Sequence, residues 1–267
     1  MLASLPMYDL PELARATDAW WLGLRRHFVA QGIADLPATL TQPKDPIAHQ
    51  RDDGVIFTHT CGFPLTHALK GRVKLVATPR FSAPGCAGPT YVSWIVVRTD
   101  DSIERPADLK GRRAAFNGRD SQSGYNAFRD LVAALAEHGR FFGAAIESGA
   151  HRRSLAMVKA GEADAAAIDC VSFALIARAA PEEVRGVRVL WATRAAPNLP
   201  YVTAAATSED DLRRLRDGVA AAFADRGLAE TRAALLLEGC AFLPLSCYDV
   251  IPAMEQAAAQ AGYPELA

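Results

Sequence analysis

Apolar residues recur along this chain in two rhythms. Short runs rich in β-branched residues or alanine, "GVIFTHT" (54–60), "RVKLVATPRF" (72–81), "YVSWIVVRT" (91–99), "RRAAF" (112–116) and "ADAAAID" (163–169), read as strands, the first and last of them buried. "ASLPMY" (3–8) and "PATLTQ" (37–42) read as further short strands, and "GVRVLWATRAAPNLPYVTAAA" (186–206) as two extended runs broken at "APN". Residues 11–31, 121–138 and 151–160 instead carry apolar side chains at helical spacing, and "CGFPLTHALKG" reads as a short helix closed by Gly71. Gly161 stands where a helix-ending glycine belongs, and Ser172 is placed to cap "FALIARA". From Ser208 onward the pattern is helical through "SEDDLRRLRDGVAAAFAD", "LAETRAALLLEG" and "CYDVIPAMEQAAAQAG".

Strands alternating with helices predict an α/β fold, each lobe a mostly parallel sheet flanked by helices. The passages near 92–98 and 191–203 are extended rather than Gly/Ser-rich, which suits two strand-like connections between lobes. The expected division is residues 1–94 plus 202–267 as one lobe, with the C-terminal helices returning to it, and 95–201 as the other. A ligand cleft between the lobes would lie at the carboxyl ends of the strands.

Composition narrows the partners. A chain of 267 residues, half of them hydrophobic and with a formal net charge of −1, lacks the cationic excess that a nucleic-acid backbone demands. No apolar run approaches the roughly 20 residues needed to span a bilayer. The N-terminus, "MLASLPMYDLPEL", shows neither a basic n-region nor a long apolar h-region, so the expectation is a cytoplasmic chain or one whose export signal was trimmed. A monomer without cofactor or metal is expected: the five cysteines show no zinc spacing. Cys61 and Cys86, both beside Gly and Pro in loop-like sequence, are candidates for a disulfide in an oxidising compartment.

Candidate chemistry concentrates at strand ends. "DSQSGYN" (120–126) places two serines and a glycine between a strand and a helix, where free amides, the positive end of the helix dipole and two hydroxyls would suit an oxyanion. The same serines would serve equally as helix caps. The stretch is neither a Gly-x-Ser-x-Gly elbow nor a phosphate-binding Gly-Lys-Ser/Thr loop. "FTHT" ends a strand with Thr58, His59 and Thr60; His151 opens a helix; Asp169 closes an apolar strand, either capping the next helix or meeting a ligand amine or hydroxyl. Tyr8, Tyr91 and Trp94 would form either cleft walls or core.

Taken in order, "GVIFTHTCG…TPRFSAPGCAGPTYVSWIVVR", "ADLKGRRAAFNGRDSQSGY" and "SGAHRRSLAMVKAGEADAAAID" resemble the phosphate, phosphite and phosphonate substrate-binding proteins of ABC transporters, PhnD-like members of the type II periplasmic-binding-protein fold. The resemblance spans roughly residues 1–205. It implies a non-enzymatic protein that closes over a small oxyanion and serves a membrane permease. Ser121, Ser123 and Gly124 would hold the oxygens with Tyr125 beside them, Tyr8, Thr58 and Thr60 would face them from the other lobe, His151 would touch the oxyanion, and Asp169 would meet an amine. "THTCGFPL" departs from the Gly-Pro-x-Ser/Ala-Tyr pattern usual at that place. The alternatives are a cytoplasmic enzyme on the same fold, of the menaquinone or thiamine-pyrimidine pathway type and working through Asp169, His59 or Cys61, or a ligand sensor.

Overall fold

The computed structural model describes residues 1–267, which form two compact units. The first consists of Met1–Ser82, Ala87–Pro89 and Pro197–Cys247; the second of Ala83–Cys86, Thr90–Ala196 and Tyr248–Ala267.

The first unit is built on a five-stranded sheet in the order Leu2–Ser4, Val55–His59, Tyr201–Ala204, Val73–Phe81, Leu237–Ala241. Every residue of Val55–His59 is buried, as an apolar run covered on both faces must be. Tyr201–Ala204 inserts antiparallel to both of its neighbours. The helix Ala14–Ala30 buries Trp20, Trp21, Leu24 and Phe28, and its rings continue into the sheet: Trp21, Phe28, Phe57 and Tyr201 follow one another at centroid distances of 5.1 Å from Phe28 to Phe57 and 4.9 Å from Phe57 to Tyr201. Trp20 Nε1 donates to the Tyr201 hydroxyl at 3.1 Å, which pairs the polar tips of these two rings, while the buried Trp21 Nε1 has no acceptor.

The sheet of the second unit runs Val187–Ala192, Ser93–Arg98, Ala165–Asp169, Arg113–Phe116, Ala144–Glu147. Ser93–Arg98 is antiparallel to both neighbours, while Ala165–Asp169, Arg113–Phe116 and Ala144–Glu147 are mutually parallel. Both sheets are therefore mixed. Asp164 fastens two strands: Arg113 donates to it from its backbone N (2.9 Å), Nε (3.1 Å) and Nη2 (2.9 Å). Burial would raise the Asp164 carboxyl, but those Arg113 bonds outweigh it and hold the group at about 2.

Four local expectations change. Residues 37–42 form no strand; Thr41 N donates once, to Ala3 O at 2.7 Å, and no second ladder bond follows. "LLLEG" does not continue a helix. The chain leaves Ala229–Ala234 through Leu236 (φ 56°) and pairs Leu237–Ala241 with Val73–Phe81. The helix at 121–138 ends at Ala133. The last helix, Val250–Gln260, packs on Ala127–Ala133 in the second unit, whereas the sequence placed all C-terminal helices with the first. Its apolar face, Ile251, Met254 and Ala258, finds its partner there, and Tyr263 and Leu266 extend the same core.

Candidate functional site

Arg113–Phe116 ends at Asn117, and the chain turns through Gly118–Asp120 into a helix whose N-cap is Ser121. Ser121 Oγ accepts from Gly124 N at 3.0 Å. The first bond along the helix runs from Asn126 N to Ser121 O (3.0 Å), a separation of five residues rather than four. This π-type opening puts the amides of Gln122, Ser123, Gly124 and Tyr125 ahead of the first helical hydrogen bond, one more than an α-helical start would. The Gly124 amide is taken by the Ser121 hydroxyl; the other three lie at the positive end of the dipole.

Two neighbours hold the turn. A Cβ on residue 124 would sit 1.9 Å from Asn117 Oδ1 and 3.2 Å from His151 Cε1, so only glycine fits. Below it, Asn126 Nδ2 donates to Gln122 Oε1 (2.7 Å) and to Ile251 O (3.0 Å), Gln122 Nε2 points to Met254 Sδ (3.1 Å), and Arg129 Nη2 donates to Asn126 Oδ1 (2.7 Å). Arg129 also donates to Pro264 O, pairs with Glu255 at 3.4 Å and lies over the Tyr125 ring.

His151 arrives from the next crossover. Ser148 N donates to Phe116 O, and Ser148 Oγ bonds Ser154 Oγ at 2.7 Å, which sets the start of the helix His151–Ala160 beside the serine turn. Its Nε2 is 2.8 Å from Ser123 Oγ, and Ser123 Oγ lies 3.4 Å from Ser121 Oγ. Ser121, Ser123, Gly124 and His151 thus form one group in the second unit.

The other expected residues take different places. Asp169 caps the helix Cys170–Ala179: its Oδ1 accepts from Val171 N (2.8 Å) and Ser172 N (3.0 Å), so Ser172 is a capped residue and not the cap. Tyr125 packs edge-on against Phe116, and its hydroxyl accepts from Leu266 N at 3.2 Å. Tyr91 is buried in the second unit, and Trp94 is half-buried with its ring against Gly85. In the first unit, Thr58 Oγ1 bonds Ser4 Oγ (2.7 Å), Thr60 Oγ1 donates to Gln50 Oε1 (2.9 Å), and His59 Nε2 is 3.0 Å from Leu199 O. Tyr8, at φ 61°, sets its ring edge against His59 and Phe81. Cys61 is in no disulfide, and the sulfur next to Cys86 is that of Cys170, so the candidate Cys61–Cys86 bridge is not present. The sequence did not single out Asn117; the signal was its place at the carboxyl end of a strand, one turn ahead of a glycine.

His151 and His59 are both pushed down to about 4, chiefly by burial, with the Ala167 and Leu199 carbonyls respectively working the other way. Their unfolded counterparts titrate near 6.5, so between about pH 6.5 and 4 the unfolded chain binds more protons than the folded one. The stability these neutral rings contribute is complete above pH 6.5 and lost as pH falls toward 4. The loss is on the order of 3 kcal/mol per ring. Thermal melting between pH 7.5 and 4.5 is expected to show Tm falling steeply through this window, and His59→Gln to flatten the slope.

Strand ends and helix starts are where α/β folds bind their ligands. Residues 45–236 match the family described as "ABC transporter, phosphonate, periplasmic substrate-binding protein", and the chain belongs to that family. No curated protein matches the sequence. Solved structures with the same fold include a binding-protein component of an ABC phosphonate transporter from Pseudomonas aeruginosa (17% identity, 98% of this chain and 87% of that one, TM-score 0.78). PhnD1 from Prochlorococcus marinus, in complex with methylphosphonate, is similar at 14% identity over 97% of this chain and 98% of its own (TM-score 0.75). XAC2383 from Xanthomonas citri, bound to ATP, is similar at 15% identity over 98% and 97% (TM-score 0.72). No helix is long and apolar enough to cross a membrane.

Proposed function

We propose that this chain is the solute-binding component that delivers a small phosphorus oxyanion, most simply a phosphonate, phosphite or phosphate, to the membrane permease of an ABC transporter. The observation that carries the reading is the π-type helix start at Ser121, with three amides and two serine hydroxyls gathered where Gly124 leaves no side chain. Buried donors of this kind bind an anion through charge-assisted hydrogen bonds worth roughly 1.5–3 kcal/mol each. His151 Nε2 lies 2.8 Å from the Ser123 hydroxyl; with the ring proton on Nε2 it donates to that oxygen and leaves the hydroxyl proton for the anion. The arginines nearest in sequence are engaged elsewhere: Arg119 with Tyr125 and Glu265, Arg129 with Asn126 and Pro264. Neutral donors rather than a fixed cation would therefore carry the anion.

Asp169, at the end of a strand in the same unit, is assigned to recognition of the ligand's substituent. The test is isothermal calorimetry with phosphate, phosphite, methylphosphonate, 2-aminoethylphosphonate and methanesulfonate. Saturable binding of at least one phosphorus oxyanion is expected, with Ser123→Ala weakening it about 10- to 100-fold, as the loss of one such bond implies. Silence across the whole panel would overturn the ligand assignment and leave the family membership intact. Asp169→Asn is expected to shift the ranking of ligands without abolishing binding, whereas an enzyme reading demands turnover that this substitution stops.

A further inference from the structure

Two thiols far apart in sequence meet in the second unit. Cys86 Sγ and Cys170 Sγ are 3.7 Å apart, and neither is bonded to another cysteine. Their backbones are locked face to face across Val92: Val92 N donates to Gly85 O, and Cys170 N donates to Val92 O, both at 3.2 Å. Gly85, at φ 95°, allows the approach, since a Cβ there would lie 2.9 Å from Cys170 Cβ and 2.6 Å from the Trp94 ring. Disulfide formation requires the sulfurs to close to about 2.05 Å, a change that side-chain rotation supplies when the backbones are already adjacent.

We propose that Cys86 and Cys170 are a reversible thiol–disulfide pair, a redox modification site next to Asp169. The exposure of the two sulfurs differs in a way that orders the chemistry. Cys86 is half-buried, while Cys170 is fully buried and its thiol is pushed up by the hydrogen bond with Cys86, by burial and by Asp169. Cys86 therefore attacks first. Its thiolate displaces one thiolate from a disulfide oxidant and forms a mixed disulfide. Cys170 then loses its proton and attacks the Cys86 sulfur, expelling the second thiolate. The two cysteine thiols are oxidised by two electrons and lose two protons, and the oxidant's disulfide is reduced to two thiols. Membership in a periplasmic family places such a pair where disulfides persist.

The bond would tie two functionally distinct segments together. Cys86 is the last residue before the chain passes into the first unit at Ala87, and Cys170 follows Asp169 at the head of its helix. Oxidation would clamp this crossing of the chain to the strand end that carries Asp169.

The experiment treats the full chain with oxidised glutathione, alkylates remaining thiols under denaturing conditions and maps the peptides by mass spectrometry. Before oxidation five thiols are titrated; afterwards three are expected, with Cys86 and Cys170 joined in one cross-linked peptide lighter by two hydrogen atoms. Closing so long a loop is expected to raise Tm by roughly 5–15 °C, reversed by dithiothreitol. Cys86→Ser, a conservative change at a half-buried position, is expected to remove both the cross-link and the shift in Tm. Recovery of Cys86 and Cys170 as alkylated thiols, glutathione retained on Cys86, or Cys86 bridged to Cys61, Cys240 or Cys247 would overturn the proposal. Because the readout is the covalent bond itself, it stands or falls separately from the ligand assignment.

Discussion

Gly124→Ala is expected to weaken oxyanion binding by 100-fold or more while leaving the protein folded. The added methyl group would sit 1.9 Å from Asn117 Oδ1, closer than any real contact, so either Asn117 swings away or the turn lifts. Lifting the turn moves the amides of Gln122, Ser123 and Tyr125 together with both serine hydroxyls, since all of them hang on the same five residues. Losing two charge-assisted bonds at roughly 1.5–3 kcal/mol each corresponds to a factor of about 100 or above. Calorimetry with methylphosphonate or inorganic phosphate measures it, and circular dichroism verifies the fold. The cause is separable by a double-mutant cycle: Asn117→Ala opens the space, so Gly124→Ala in that background is expected to cost much less than in the parent. Equal losses in both backgrounds would show that the steric account of the turn is wrong.

The second large effect is on stability. Arg129→Met is expected to cost about 3–5 kcal/mol, the range for removing one partner from a buried charged network. Arg129 is 4% exposed and is shared by Asn126 Oδ1, Pro264 O and Glu255; methionine fills much of its volume but leaves the buried Asn126 Oδ1 and the Pro264 carbonyl without their donor. At about 2–4 °C per kcal/mol for a chain of this size, Tm should fall by roughly 6–20 °C. Arg129→Lys, which keeps the charge but not the forked geometry, is expected to recover only part of that. A melting temperature for Arg129→Met within a degree or two of the parent would refute the network's structural role. Since Asn126 closes the π-type turn, the same substitution should also loosen anion binding, which couples the stability experiment to the site.

Much of the architecture was readable because burial writes itself into composition. "GVIFTHT" and "ADAAAID" each carry an unbroken apolar run (Val55–Phe57 and Ala165–Ile168), and both are strands covered on two faces. Where partners rather than local pattern decide, reading failed. "LLLEG" follows a helical run without a break, and only the exposed edge of Val73–Phe81 makes it a strand. "PATLTQ" has strand-like residues but finds a single backbone partner in Ala3. Nothing in the last helix's own sequence says which unit its apolar face will meet. At the site, the Ser-x-Ser-Gly signature was legible as a helix start with spare donors, and His151 as a residue at a neighbouring helix start. The five-residue hydrogen bond at Ser121 was not, because it depends on Asn126 being held by the carbonyl of Ile251, a residue the local sequence does not contain. Asp169 was open between cap and ligand; its geometry answers the first half, with two amides on one oxygen.

The interleaving of the chain between its two units also governs how it can fold. The strands before Ser82 lack their middle neighbour until Tyr201–Ala204 has been made, and the helix Ala127–Ala133 of the second unit lacks its partner until Val250–Gln260 follows. Neither unit is a contiguous stretch that can fold as it emerges from the ribosome. Contacts between such distant residues make loop closure expensive and folding slow. The anion turn, braced by Ile251 and by the tail through Arg129, is therefore among the last parts to set, and a nascent chain carries its serines for most of its synthesis without the geometry that makes them a site.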